Sequence, residues 1–147
     1  MSYRQITYQI VFATKSRKPT INEDHCAELY QYIWGIIKNH NCKLFRINGV
    51  EDHIHILCDL HPTVALADYV KDIKVASSKW MKSSDLFPKF DGWAEKYGAF
   101  TYTIKERPAL IEYIKNQKEH HKTVTFLDEY KSLLEEHGIE YDEKYLT

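Results

Sequence analysis

The sequence predicts an α+β fold of the ferredoxin-like, RRM-like kind: β-α-β-β-α-β around an antiparallel sheet, with additional C-terminal helices. Three observations lead there. Apolar residues alternate with polar ones near the start, and then recur at helical spacing after Asn22 and again after Thr63. Two β-rich stretches separate those helical runs and a further one follows the second. A split βαβ arrangement, with helices covering one face of the sheet, is the economical way to bury both patterns.

From Arg4 to Phe12, Ile6, Tyr8, Ile10 and Phe12 alternate with Gln5, Thr7, Gln9 and Val11, which predicts a half-buried strand. Asn22 is a good helix cap, and Leu29, Ile33, Ile36, Ile37 and His40 follow on one helical face. Cys42 to Ile47 reads as a second strand, Asn48-Gly49 as a turn signal, and His53 to Leu60 as a third strand. Thr63 can cap a helix carrying Leu66, Tyr69, Val70, Ile73 and Trp80. Ala99 to Ile104 is the fourth strand. Pro108 suits the first turn of a helix running to about His121. Thr125 to Asp128 resembles a capping box before a last helix that ends at Gly138.

No repeat, low-complexity run or Gly/Ser linker divides the chain, so residues 1–147 are read as one domain. Hydrophobic residues make up 44% of it, enough for a sizeable core. The formal net charge of −1 gives no global attraction to nucleic acid, but the charge is unevenly placed. Arg4, Lys15, Arg17 and Lys18 precede the first acid, Glu23, whereas Asp128, Glu129, Glu135, Glu136, Glu140, Asp142 and Glu143 crowd the end. An acidic tail of this kind conceals a basic working face in the sum, and places any DNA groove on the other side. Cys26, Cys42 and Cys58 are odd in number and form no CxxC pair, which disfavours a disulfide framework and fits a reducing cytoplasm. The N-terminus lacks an apolar signal core, and no run is long enough to span a bilayer. A cytoplasmic protein without membrane contact is expected.

Two stretches carry chemistry. In Asp52-His53-Ile54-His55-Ile56-Leu57-Cys58, strand alternation sends Ile54, Ile56 and Cys58 toward a core and His53 and His55 to the opposite face. Two imidazoles side by side can share a metal ion. Surface histidines, or the start of a zinc-hydrolase site that needs another His or carboxylate, are the other readings of HxH alone. In Ile111-Glu112-Tyr113-Ile114-Lys115-Asn116-Gln117-Lys118-Glu119-His120-His121, Tyr113 and Gln117 lie one helical turn apart, with Asn116 and His120 beside them. A tyrosine hydroxyl can attack a phosphodiester when a metal ion polarises the phosphorus. Tyr113 is one of 11 tyrosines, so only a partner motif singles it out.

Together, the His-hydrophobic-His strand and the later Tyr-Ile-x-Asn-Gln helix resemble the single-tyrosine HUH transposases of small insertion sequences, including the REP-associated relatives. The resemblance runs through the opening strand and its basic loop (Val11 to Pro19), DHIHIL, the Lys-bearing helix before Trp80, and YIKNQ. It implies Tyr113 as nucleophile and His53, His55 and Gln117 as ligands of Mg²⁺ or Mn²⁺, with His120 and His121 as further candidate ligands. It also implies single-stranded DNA with hairpin-bearing ends as substrate, a 5′-phosphotyrosine intermediate, and a homodimer with sites shared between subunits. Lys71, Lys74, Ser78 and Lys82 form a ribbon beside the apolar stripe of their helix, suited to phosphates, and Lys15, Arg17 and Lys18 form a second basic patch. Tyr3, Tyr8 and Tyr102 are candidate base-stacking residues. A domesticated copy that binds nucleic acid without cutting it, and a metallonuclease that uses water, are the alternatives.

Overall fold

The computed structural model describes residues 3–146. Four strands, β1 (Thr7–Ala13), β2 (Leu44–Val50), β3 (His53–Asp59) and β4 (Gly98–Tyr102), form one sheet in the order β2-β3-β1-β4. Every neighbouring pair is antiparallel. Helices α1 (Cys26–Asn39) and α2 (Leu66–Ser83) fill the two crossings, as the β-α-β-β-α-β reading requires. They cover one face. Leu29, Ile33 and Ile37 of α1 and Tyr69, Val70, Ile73 and Met81 of α2 close over Ile10, Phe12, Ile54, Ile56 and Cys58. Each such aliphatic side chain contributes roughly 1.5–3 kcal/mol by leaving water. Among the described residues, no helix is long and apolar enough to cross a membrane.

The second face is covered too, which corrects the expectation of helices on one face and a half-buried first strand. The additional C-terminal helices α3 (Arg107–Lys115), α4 (Gln117–His120) and α5 (Phe126–Glu136) lie there. Phe126, Leu133 and Leu134 of α5 pack with Val11, Ala13 and Phe100. β1 is therefore a central strand buried on both sides: Gln9, Ile10 and Val11 are all fully buried. The polar positions of its alternation face a second core rather than solvent.

Local signals differ from expectation in three places. Thr63 does not cap α2. A turn from His61 to Val64 comes first, in which Thr63 Oγ1 lies 2.7 Å from His61 Nδ1, and the helix starts after Ala65. The helix expected to run to His121 breaks at Asn116 into α3 and α4. Asn48-Gly49 is not the hairpin turn. Both residues lie in β2, and the chain reverses at Glu51 and Asp52. Thr125 does cap α5, accepting from the Asp128 N–H, whereas Asn22 accepts from the Asp24 N–H and caps the short 3-10 turn Glu23–His25 that leads into α1.

The Asn-Gly pair has a different task. A Cβ on Gly49 would stand 2.2 Å from the His53 carbonyl oxygen, so only glycine lets β2 approach the start of β3. Asn48 Nδ2 donates to the carbonyls of Ile114 (3.1 Å) and Lys115 (3.0 Å), the open C-terminal end of α3. Lys118 of α4 donates in turn to Asn48 Oδ1 and the Gly49 carbonyl. One dipeptide thus fixes the corner between α3 and α4.

Two outcomes follow. Gly49→Ala, which forces β2 away from His53, should lower unfolding free energy by about 1–3 kcal/mol, the usual range for overpacking, as read in denaturant melts. Asn48→Ala, which leaves two carbonyls of α3 without their donor, should destabilise by roughly 1–2 kcal/mol. It should also raise amide hydrogen exchange in residues 112–118 more than in α1.

Candidate active site

Strand alternation places His53 and His55 on the face away from Ile54 and Ile56, as expected, and α3, α4 and α5 then enclose them. Both histidines are fully buried. Their imidazole Nε2 atoms converge on one carboxylate, Glu129 of α5. His55 Nε2 lies 3.0 Å and His53 Nε2 3.3 Å from Glu129 Oε1. His121 Nε2, from the turn after α4, lies 2.9 Å from the same oxygen. The ligating atoms of His53, His55, His121 and Glu129 all fall within 4.8 Å of one another, a geometry that could hold a metal ion.

The other carboxylate oxygen, Glu129 Oε2, accepts from the Tyr113 hydroxyl and from Gln117 Nε2 at 2.9 Å. Gln117 is fully buried, and its Oε1 lies 3.2 Å from His53 Nε2. The Tyr113 ring meets His55 edge-on, with centroids 5.8 Å apart. Tyr113 thus stands against the histidines of its own chain. His120 is more peripheral, about a third exposed, with Nε2 3.5 Å from Glu129 Oε2.

Each of the three converging imidazoles has its other ring nitrogen occupied. His53 Nδ1 lies 2.7 Å from Asp52 Oδ1, His55 Nδ1 2.7 Å from Gln9 Oε1, and His121 Nδ1 2.6 Å from the Val124 carbonyl. Such partners fix the orientation of each ring and aim its Nε2 inward, the arrangement typical of imidazole ligands.

Burial pushes His55 down to about 4, against the pull of Glu129, so His55 is neutral near pH 7. Burial also acts to lower His53, but the Asp52 and Glu129 hydrogen bonds outweigh it and raise it above its ordinary value. Burial would raise Glu129; the hydrogen bonds from His121, His53 and His55 prevail and hold its carboxyl far below the usual range. Burial, and then the Glu129 charge, raise Tyr113, whose hydroxyl therefore keeps its proton while no cation is near.

Sequence reasoning placed Glu129 in an acidic tail. The signal against that was its phase: Glu129 sits between Phe126 and Leu133 on the buried stripe of α5. The lysine ribbon lies away from the cluster. α2 packs on the sheet face opposite the histidines, so Lys71, Lys74 and Lys82 lie across the sheet from the cluster. Lys74 is moreover committed to the carbonyls of Ala94, Glu95 and Lys96 at 2.8–3.1 Å. Lys15, Arg17 and Lys18 follow the end of β1, where the Thr14 N–H donates to the Asp52 carbonyl. Lys18 is paired with Asp91. Of the tyrosines, Tyr3 is exposed, Tyr8 packs on the first core and Tyr102 joins the second.

Comparison with known proteins gives one reading. Residues 2–117 match the family described as transposase, IS200-like. The chain is 25% identical over 118 residues to the ISDra2 transposase TnpA of Deinococcus radiodurans, covering 77% of this chain and 84% of that one. A crystal structure of a candidate transposase from Deinococcus radiodurans R1 superposes with a TM-score of 0.61 at 24% identity, covering 80% of this chain and 95% of that one. A REP-associated tyrosine transposase bound to a REP hairpin superposes with a TM-score of 0.63 at 13% identity, covering 84% and 76% respectively. A family match over most of the chain, on a fold shared with solved transposases, shows that this protein is a member of the IS200-like transposase family.

Proposed function

We propose that this transposase cuts single-stranded DNA with Tyr113 and rejoins it through a covalent 5′-phosphotyrosine link. The observation that carries this reading is the shared carboxylate: the Tyr113 hydroxyl and the Nε2 atoms of His53 and His55 all meet Glu129. His53 and His55 would hold a divalent ion, Mg²⁺ or Mn²⁺, with Gln117 and His121 beside His53. When bound, the ion would supply charge to polarise a phosphate oxygen and to ease loss of the phenolic proton.

The chain's own groups do the rest. The Tyr113 hydroxyl loses its proton toward Glu129 Oε2, its present hydrogen-bond acceptor. The phenolic oxygen bonds to phosphorus, and the bond from phosphorus to the 3′ oxygen breaks, so that oxygen leaves as a 3′-hydroxyl once protonated. Strand joining is the reverse, with a 3′-hydroxyl displacing the tyrosine. No nucleotide triphosphate enters, because the phosphotyrosine keeps the bond energy. Lys15 and Arg17, in the loop that follows β1, offer charge for phosphates at that end of the sheet. Lys71 and Lys82 are exposed on the far side, where they serve only DNA that wraps the domain, such as a hairpin stem. The hairpin substrate and the homodimer are read from the family.

A labelled single strand carrying the element end, resolved on a denaturing gel, tests the reading. The expected product is a covalent DNA–protein adduct that requires Mg²⁺ or Mn²⁺ and disappears with chelator. Tyr113→Phe should abolish the adduct and retain DNA binding, and His53→Ala should lower cleavage by at least ~10²-fold, the scale expected when charge stabilisation is lost. Free fragments without adduct would indicate water as nucleophile, and binding without products a domesticated binder. Mixing His53→Ala with Tyr113→Phe should restore no activity if each site is completed within one chain, whereas recovery would show sites shared between subunits.

A further inference from the structure

Residues beyond the family match close the cluster. The match ends at Gln117, whereas His121 and Glu129 follow it. Both point inward on the histidine pair, and both are nearly or fully buried. We infer that His53, His55, His121 and Glu129 together form a four-ligand site that selects a first-row transition ion over Mg²⁺, with Gln117 orienting Glu129 rather than ligating. This rests on the reading that His53 and His55 hold the ion, and extends it to the remaining ligands and to the class of metal.

The geometry gives three grounds. First, all three imidazoles are prepared as ligands by their Nδ1 partners: Asp52 Oδ1, Gln9 Oε1 and the Val124 carbonyl. The three Nε2 atoms then converge on Glu129 Oε1 at 2.9–3.3 Å. The four ligating atoms lie within 4.8 Å of one another, so one cation can reach them all. His120, at 3.5 Å from the other oxygen, is no part of this convergence.

Second, the donors are three nitrogens and one carboxylate oxygen. Mg²⁺ prefers six oxygens and sheds water reluctantly. Imidazole-rich sets suit Mn²⁺, Co²⁺ and Zn²⁺, with affinity rising along the series toward copper. Third, Gln117 Nε2 donates to Glu129 Oε2. That bond holds the carboxylate with Oε1 toward the imidazoles and Oε2 toward Tyr113, so Glu129 joins the ion site to the nucleophile.

Co²⁺ is the probe, because its visible spectrum reports coordination and its paramagnetism shifts the protons of bound imidazoles. The full chain is titrated with Co²⁺ and followed by absorption and proton NMR. We expect one equivalent bound, the intense visible bands of a four-coordinate ion, and three strongly shifted exchangeable imidazole N–H signals. A roughly 100-fold excess of Mg²⁺ should leave the spectrum unchanged, given the preferences of the two ions. Glu129→Gln and His121→Ala, checked for folding by circular dichroism, should each weaken Co²⁺ binding by about 10–100-fold, no less than loss of a supporting partner does. His53→Ala should weaken it likewise.

Two shifted N–H signals instead of three in the unsubstituted protein would overturn the inference while leaving the ion on His53 and His55. So would undiminished binding by both Glu129→Gln and His121→Ala while His53→Ala abolishes it. Displacement of Co²⁺ by equimolar Mg²⁺ would overturn the selectivity. Undiminished binding by His53→Ala and His55→Ala would refute the underlying reading itself. The NMR count needs no substitution, so it decides the matter even if a variant fails to fold.

Discussion

A carboxylate only 3% exposed must find its hydrogen bonds among protein groups, and Glu129 takes them from elements spread along the chain. His53 and His55 come from β3, Tyr113 from α3, Gln117 from α4 and His121 from the turn that follows. An unpaired charge at that position would cost several kcal/mol, so these partners are constrained together. The orientation of the tyrosine helix is consequently tied to the histidine strand by the same group that organises the imidazoles. Leu133, one turn beyond Glu129 on α5, anchors the carboxylate from behind in the second core.

The two faces of the sheet divide the work. The face under α1 and α2 is almost purely apolar and supplies stability. The opposite face mixes Val11, Ala13 and Phe100 with buried Gln9, His53 and His55, and its polar groups satisfy one another. Ligand-bearing side chains mounted on a central strand have little freedom, which favours a preformed site. The same division explains why a nearly neutral protein can serve DNA. Much of the acidic end of the chain lies on exposed turns of α5 and beyond, whereas its one buried acid is neutralised inside the cluster.

Much of this was legible beforehand. The succession of elements and both central helices followed from period-two and helical-period runs, because those periods survive any tertiary context that buries one face. The placement of His53, His55, Tyr113 and Gln117 on one side followed from the same geometry, aided by the resemblance to the HUH transposases. What escaped was governed by contacts between distant segments. Asn48-Gly49 is a strong local turn signal, yet the need to approach His53 closely and to satisfy the end of α3 put it in a strand. Lys74 read as a phosphate ligand by spacing alone, but three carbonyls of the segment before β4 claim it. Glu129 shared its composition with an acidic tail, and only its phase among Phe126 and Leu133 distinguished it.

The central position of β1 bears on the order of folding. Its two neighbours are β3, with Ala13 opposite His53, and β4, with Val11 opposite Gly98. During synthesis the opening strand therefore leaves the ribosome with both edges unpaired, and it waits for each partner in turn. β3 arrives first and gives a sheet already closed on one side by α1. The histidine face is covered only as α3, α4 and α5 emerge after β4. Non-local pairings of this kind fold slowly and leave strand edges open to other chains in the interval. Assembly of the imidazole cluster is thus a late event, and a nascent chain holds a sheet before it holds a reactive centre.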